Sequence, residues 1–217
     1  MRIVVLLGPP GAGKGTQAQV LAGRLALPWI ATGDLFRAAV SDGTALGAEA
    51  KTYMDRGALV PDGITVRMLL ERLAAPDAAG GAVLDGFPRT RAQAEALDAA
   101  LDERGVRVEV ALLIDVPAGD LLGRLSGRWL CSAAGHPYHV TAAPPRVPGV
   151  CDVDGSPLVQ RDDDRPEVVR ARLEKQLGAL EEVVDHYRES GLLCTVDGRG
   201  PIAGVSAALL DALAPAP

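Results

Sequence analysis

Ile3 to Leu7 is an unbroken run of β-branched residues and leucine, the pattern of a strand buried on both faces of a parallel sheet. It meets a glycine-rich turn, and from Lys14 to Leu25 the apolar positions Ala18, Leu21, Ala22 and Leu25 recur at helical spacing. Further short apolar runs stand at Trp29–Ala31, Ala82–Leu84, Val108–Val116 and Leu192–Val196, separated by helical patterns. This alternation predicts an α/β fold with a five-stranded, mainly parallel sheet flanked by helices.

Two segments do not fit a simple crossover. Asp34 to Ala75 reads as one helical stretch broken at Pro61-Asp62, where a new helix starts. Arg128 to Asp164 is rich in Pro, Gly, Cys and His and lacks helical periodicity, as a small inserted subdomain would. Arg165-Pro166-Glu167 then opens a long helix striped by Val169, Leu173, Leu177, Leu180 and Val184. The expected organisation is a core made of 1–31, 62–127 and 165–217, with insertions over 32–61 and 128–164. The final Ala-Pro-Ala-Pro is expected to fray.

Composition narrows the chemistry. The net charge of −6 carries no overall basic field, so nucleic acid is not an expected partner and any anion site must be built locally. No apolar run approaches the roughly 18 residues of a membrane span. The N-terminal run meets Gly8-Pro9 before a signal segment could be completed, so the expectation is a cytoplasmic protein without a membrane partner. Three cysteines do not form a disulfide framework, and Cys194, in an apolar run, reads as core.

Gly8-Pro9-Pro10-Gly11-Ala12-Gly13-Lys14-Gly15-Thr16 is a phosphate-binding loop set between a predicted strand and a predicted helix. Gly11, Ala12, Gly13, Lys14, Gly15 and Thr16 would hold the phosphates of ATP. The glycines let successive N–H groups face an anion, and the helix start adds its positive dipole end. Gly15 separates the lysine from the hydroxyl residue, and this Lys-Gly-Thr form resembles the nucleoside monophosphate kinases.

Thr32-Gly33-Asp34-Leu35-Phe36-Arg37, Gly57-Ala58-Leu59-Val60-Pro61-Asp62 and Asp85-Gly86-Phe87-Pro88-Arg89 make the likeness specific. In order and spacing they resemble the adenylate kinases, in particular the bacterial kind with a long lid, over nearly the whole chain. The resemblance implies reversible transfer of a phosphoryl group from Mg·ATP to AMP, giving ADP, by a monomer. It makes 32–61 an AMP-binding insertion and 128–164 a lid.

On that likeness Thr32 and Gln93 would contact the acceptor adenine. Ala58, Leu59 and Val60 would line its pocket, Arg37 and Arg89 would hold its phosphate, and Gly86, Phe87 and Pro88 would border the same site. Arg124 would stack on the ATP adenine near Gly200, with Pro137 and Tyr138 of the lid beside the donor. Arg128, Arg161 and Arg172 would face the phosphates, while Asp163 and Asp164 would serve lid closure. Lys14, Asp85, Arg89, Arg128, Arg161 and Arg172 would form the catalytic set, with Asp85 orienting Mg²⁺ through water. Physical chemistry asks for the same residue types, because in-line transfer between two polyanions needs converging fixed cations, and the arginine fork pairs with phosphate oxygens.

Many long lids of this family carry two cysteine-containing pairs around a structural zinc. Here Cys131 and Cys151 fill the first slot of each pair and Asp154 the last, but Ala134 stands in the second. His136 could complete a set of two thiolates, an imidazole and a carboxylate, which suits Zn²⁺. His139 is another candidate ligand, though it reads rather as packing or hydrogen-bonding within the lid; the alternative to zinc is a lid held by hydrogen bonds and packing, with Cys131 and Cys151 as neighbouring reduced thiols. The rival functions are a UMP/CMP-type kinase, a P-loop nucleotide sensor, and a structural protein on a retired kinase scaffold.

Overall fold

The computed structural model describes residues 1–56, 58–161 and 166–213, with the side chains at 166–167 and 171–172 outside that description. The chain runs β1 (Arg2–Leu7), α1 (Lys14–Leu25), β2 (Trp29–Ala31), α2 (Thr32–Ser41), α3 (Ala45–Met54), α4 (Asp62–Leu73), β3 (Gly81–Asp85), α5 (Arg91–Asp102), β4 (Val108–Asp115) and α6 (Ala118–Ser126). It continues through β5 (Arg128–Cys131), β6 (Pro137–His139), β7 (Leu158–Val159), α7 (Pro166–Glu189), β8 (Leu193–Asp197) and α8 (Ile202–Asp211). Among the described residues, no helix is long and apolar enough to cross a membrane.

Five strands form one sheet in the order β2-β3-β1-β4-β8, every neighbouring pair parallel. The central strand shows why its sequence is apolar throughout. Ile3, Val5 and Leu7 face one core layer and Val4 and Leu6 the other, all at most 2% exposed. The first layer takes Leu69 and Leu73 from α4, Ala94, Leu97 and Leu101 from α5, and Val183, Val184 and Tyr187 from α7. The second takes Ala18, Leu21 and Ala22 from α1, Leu121 from α6, and Val205 and Leu209 from α8. The predicted flanked parallel sheet is what forms.

Three details differ from the sequence expectation. The stretch expected to be helical from Asp34 begins at Thr32 and breaks at Asp42-Gly43-Thr44 as well as at Pro61. Gly43 adopts φ +66°, and the Thr44 hydroxyl accepts from Gly47 N–H at 3.0 Å, which caps α3. Cys194, expected in the core, is only half-buried, because β8 is the edge strand of the sheet. Val116 and Leu192 fall just outside their strands.

The second interruption folds as a three-stranded antiparallel sheet, β6-β5-β7, with a small core of its own. That core is Cys131, Cys151 and Leu158, with Trp129 and Tyr138 packed against it. Its two ends lie together: the Gln160 side-chain amide donates to the carbonyl of Ser126 at 2.9 Å.

Candidate active site

Each strand of the parallel sheet delivers a piece of the site from its C-terminal end, as open α/β sheets do. β1 leads into the loop 8–16, β2 into Thr32, β3 into Asp85, and β8 into Gly198-Arg199-Gly200. The helix after β4 brings Arg124. Together with the antiparallel sheet, these pieces line one cleft of ≈ 1140 Å³, room for more than one nucleotide-sized ligand.

The phosphate loop has the expected local geometry. Gly13, at φ +93°, precedes the first residue of α1, a conformation that a side chain would strain. Lys14 folds back so that its ammonium donates to the carbonyls of Gly8 (2.8 Å) and Pro9 (3.0 Å). Gly11, Ala12, Gly13, Lys14, Gly15 and Thr16 all line the cleft. Beside them Asp85, partly buried, ends β3, and Trp29 lines the cleft next to it. Burial pushes the Asp85 carboxyl up from its ordinary value, while Lys14 and Arg89 oppose the shift.

On the far wall, Thr32 and Gln93 are 3% and 1% exposed, yet both line the cleft. The carbonyl of Gly86 ties that wall together, accepting from the Thr32 hydroxyl at 2.8 Å and from Arg89 Nε at 2.7 Å. Arg37, Ala58, Leu59 and Val60 line the same wall. Phe87 does not: its side chain is 1% exposed in the apolar core, while Gly86 and Pro88 border a small recess behind the phosphate loop. Asp34 bridges two of the arginines, accepting from Arg37 Nη2 at 2.6 Å and from Arg161 Nη2 at 3.4 Å.

At the other end, Arg124 donates to the carbonyl of Gly198 at 3.1 Å. Gly200, Arg128, Pro137, Tyr138 and Arg161 also line the cleft. Arg172 lies on α7, with its side chain outside the described residues, as Asp163 and Asp164 are altogether. His139 accepts at Nδ1 from the N–H groups of Thr141 and Ala142, each at 3.1 Å, which leaves Nε2 to donate to the carbonyl of Gly123 at 3.3 Å.

The sequence of glycines, arginines and Thr32 thus converges on one space, and a family comparison decides what kind of space it is. The profile of the adenylate kinase family matches residues 6–192. The chain belongs to the adenylate kinase family. Among curated adenylate kinases it is similar to that of Streptomyces griseus, 50% identical over 211 residues covering 97% of this chain and 96% of the relative. That of Acidothermus cellulolyticus is 50% identical over 210 residues, 97% of each chain. The Staphylococcus aureus protein is 45% identical over 210 residues, 97% of this chain and 98% of its own.

As a member of this family the chain is a phosphotransferase, and three residues of its site were not singled out from sequence. Asp34 accepts from two of the arginines, Asp62 accepts from Gln93, and Trp29 lines the cleft beside Gly15. Only the Asp34–Arg37 spacing, one helical turn, carried a local signal.

Four further residues meet in the antiparallel sheet. Ligand atoms of Cys131, His136, Cys151 and Asp154 all lie within 4.8 Å of one another. His136 Nδ1 is 3.3 Å from the Cys151 sulfur, and Cys131 Sγ is 3.1 Å from Asp154 Oδ2. Ala134, which offers no ligand, gives its backbone N–H to the Cys131 sulfur at 3.3 Å. The Ser156 hydroxyl and N–H hold the Asp154 carboxyl well below the usual carboxylate range.

Proposed function

We propose that this enzyme transfers the γ-phosphoryl group of ATP to AMP, giving two ADP, through the cleft between the phosphate loop, the Thr32–Gln93 wall and the antiparallel sheet. The observation that carries the reading is the convergence of Lys14, Arg37, Arg89, Arg128 and Arg161 on one space that Thr32 and Gln93 also line. Converging cations suit a transferred group whose charge spreads over its equatorial oxygens, and positioning supplies most of the acceleration.

In this reading ATP lies between Gly11–Thr16, Arg124, Gly200 and the lid residues Pro137 and Tyr138. AMP lies against Thr32, Arg37, Ala58–Val60, Arg89 and Gln93. Arg161 of the lid and Arg172 of α7 are the further phosphate contacts of this reading. The acceptor's own phosphate oxygen attacks, so no protein nucleophile is needed. Closing the lid, 128–164, over both ligands keeps water from competing. Bound with ATP, Mg²⁺ neutralises phosphate charge, and Asp85 and Thr16 are the residues that would hold its shell.

The lid set of two thiols, an imidazole and a carboxylate fits Zn²⁺ in kind and in mutual distance. Cys131, His136, Cys151 and Asp154 would hold it as a structural ion, fastening a subdomain whose apolar core is small. The reading is completed by a cytoplasmic monomer, for which gel filtration should report a mass near 22.5 kDa.

The test is a coupled assay of ADP formation from Mg·ATP with AMP, UMP, CMP or GMP as sole acceptor. Fast turnover with AMP alone is expected. Preference for another monophosphate would overturn the acceptor, and no turnover with any would leave a nucleotide sensor.

A further inference from the structure

Gln93 reaches the cleft from the first turn of α5 with both ends of its amide engaged. Its Oε1 accepts from the backbone N–H of Arg89 at 2.8 Å, and its Nε2 donates to Asp62 Oδ1 at 2.7 Å. Both partners are unambiguous in sense, since a peptide N–H only donates and an ionised carboxylate only accepts. The orientation of the amide is therefore fixed. The other oxygen of Asp62 accepts from the Thr90 hydroxyl at 3.0 Å, and the Thr90 oxygen accepts from Gln93 N–H at 3.2 Å as the cap of α5. Asp62 is the first residue of α4, so one carboxylate ties the starts of two helices to one side chain.

We infer that Asp62, which does not itself line the cleft, sets the acceptor-base selectivity of the enzyme by holding Gln93 so that its remaining amide N–H is what a base meets. This rests on the reading that Gln93 faces the acceptor base. A fixed donor favours a base whose facing ring nitrogen lacks hydrogen, as N1 of adenine does. It opposes one that carries hydrogen there, as N1 of guanine and hypoxanthine does. A buried donor set against a donor leaves both unpaired, which is how a polar pocket rejects a near-isostere. Remove the carboxylate, and one of the two anchors of the amide is gone, so Oε1 can turn towards a base that presents N–H. Asp62 is thus a positioning residue, acting through Gln93.

The decisive quantity is the ratio of kcat/KM for AMP to that for GMP, measured on the full-length enzyme and on Asp62→Ala, Asp62→Asn and Gln93→Ala. A ratio cancels any loss of folded enzyme, and KM for ATP and the melting temperature are read alongside. Asp62→Ala is expected to lower the ratio by about ten-fold or more, chiefly through KM for AMP, with KM for ATP little changed. Asp62→Asn is expected to keep it, because the amide oxygen still accepts from Gln93 and the amide N–H can donate to the Thr90 oxygen. An unchanged ratio in Asp62→Ala, with the ratio collapsed in Gln93→Ala, would overturn the role of Asp62 alone. Equal loss in Asp62→Ala and Asp62→Asn would also overturn it, since charge at the start of α4 and not the held amide would then be at work. An unchanged ratio in Gln93→Ala would instead remove Gln93 from the acceptor site.

Discussion

At the scale of single residues, Gly86 illustrates how a backbone position governs a distant charge. It adopts φ +71°, and a Cβ there would stand 2.8 Å from Arg89 Nη2. Gly86→Ala should therefore strain the turn and displace the guanidinium whose Nε donates to its carbonyl. The expected result in steady-state kinetics is a KM for AMP raised about ten-fold or more, with a much smaller change for ATP, on the scale of one charge-assisted hydrogen bond lost. Tyr187 makes the opposite point. It is fully buried, and its hydroxyl has no hydrogen-bond partner among the described residues; burial, with the charge of Asp98, pushes the phenol far above its ordinary pKa, so it stays neutral. Tyr187→Phe removes a buried polar atom and keeps the ring, so thermal unfolding should show an unchanged or higher melting temperature, with a gain of up to about 1 kcal/mol.

Among the elements, the strands were the most legible and the joints the least. An apolar run such as Ile3–Leu7 has one good solution, a strand covered on both faces, and the sheet supplies it. From Asp34 to Pro61 the sequence reads as one helical stretch because Asp42-Gly43-Thr44 is too short a signal to outweigh the helical pattern around it, although Gly43 and Thr44 are a stop and a cap. In the site, glycines and arginines could be read from motif spacing. The pairings of Asp62 with Gln93 and of Asp34 with Arg161 could not, because only the fold brings the partners near, Asp62 and Gln93 being separated by α4, β3 and the turn into α5. The antiparallel sheet is the element whose stability should depend on an ion. If Zn²⁺ is its fastening, a strong chelator should lower the melting temperature and liberate about one equivalent of zinc in a metal assay. An unchanged melting curve with no metal found would leave hydrogen bonds such as that from Asp152 N–H to the Tyr138 hydroxyl, at 2.7 Å, to hold it.

For the molecule as a whole, the parallel order β2-β3-β1-β4-β8 sets the edge at which the cleft opens, and the pieces inserted at that edge form part of its wall. The antiparallel sheet begins at Arg128 and returns at Val159, and the bond from Gln160 to the Ser126 carbonyl closes the gap between its ends. A segment that leaves and rejoins the chain at one point behaves as an exchangeable cassette. Swapping it for a lid that has no metal ligands should therefore leave the core packing and the preference for AMP untouched while abolishing the effect of a chelator on the melting temperature. Lineages facing heat, metal scarcity or oxidants could accordingly retune this enzyme by replacing one cassette, with the chemistry of phosphoryl transfer inherited unaltered.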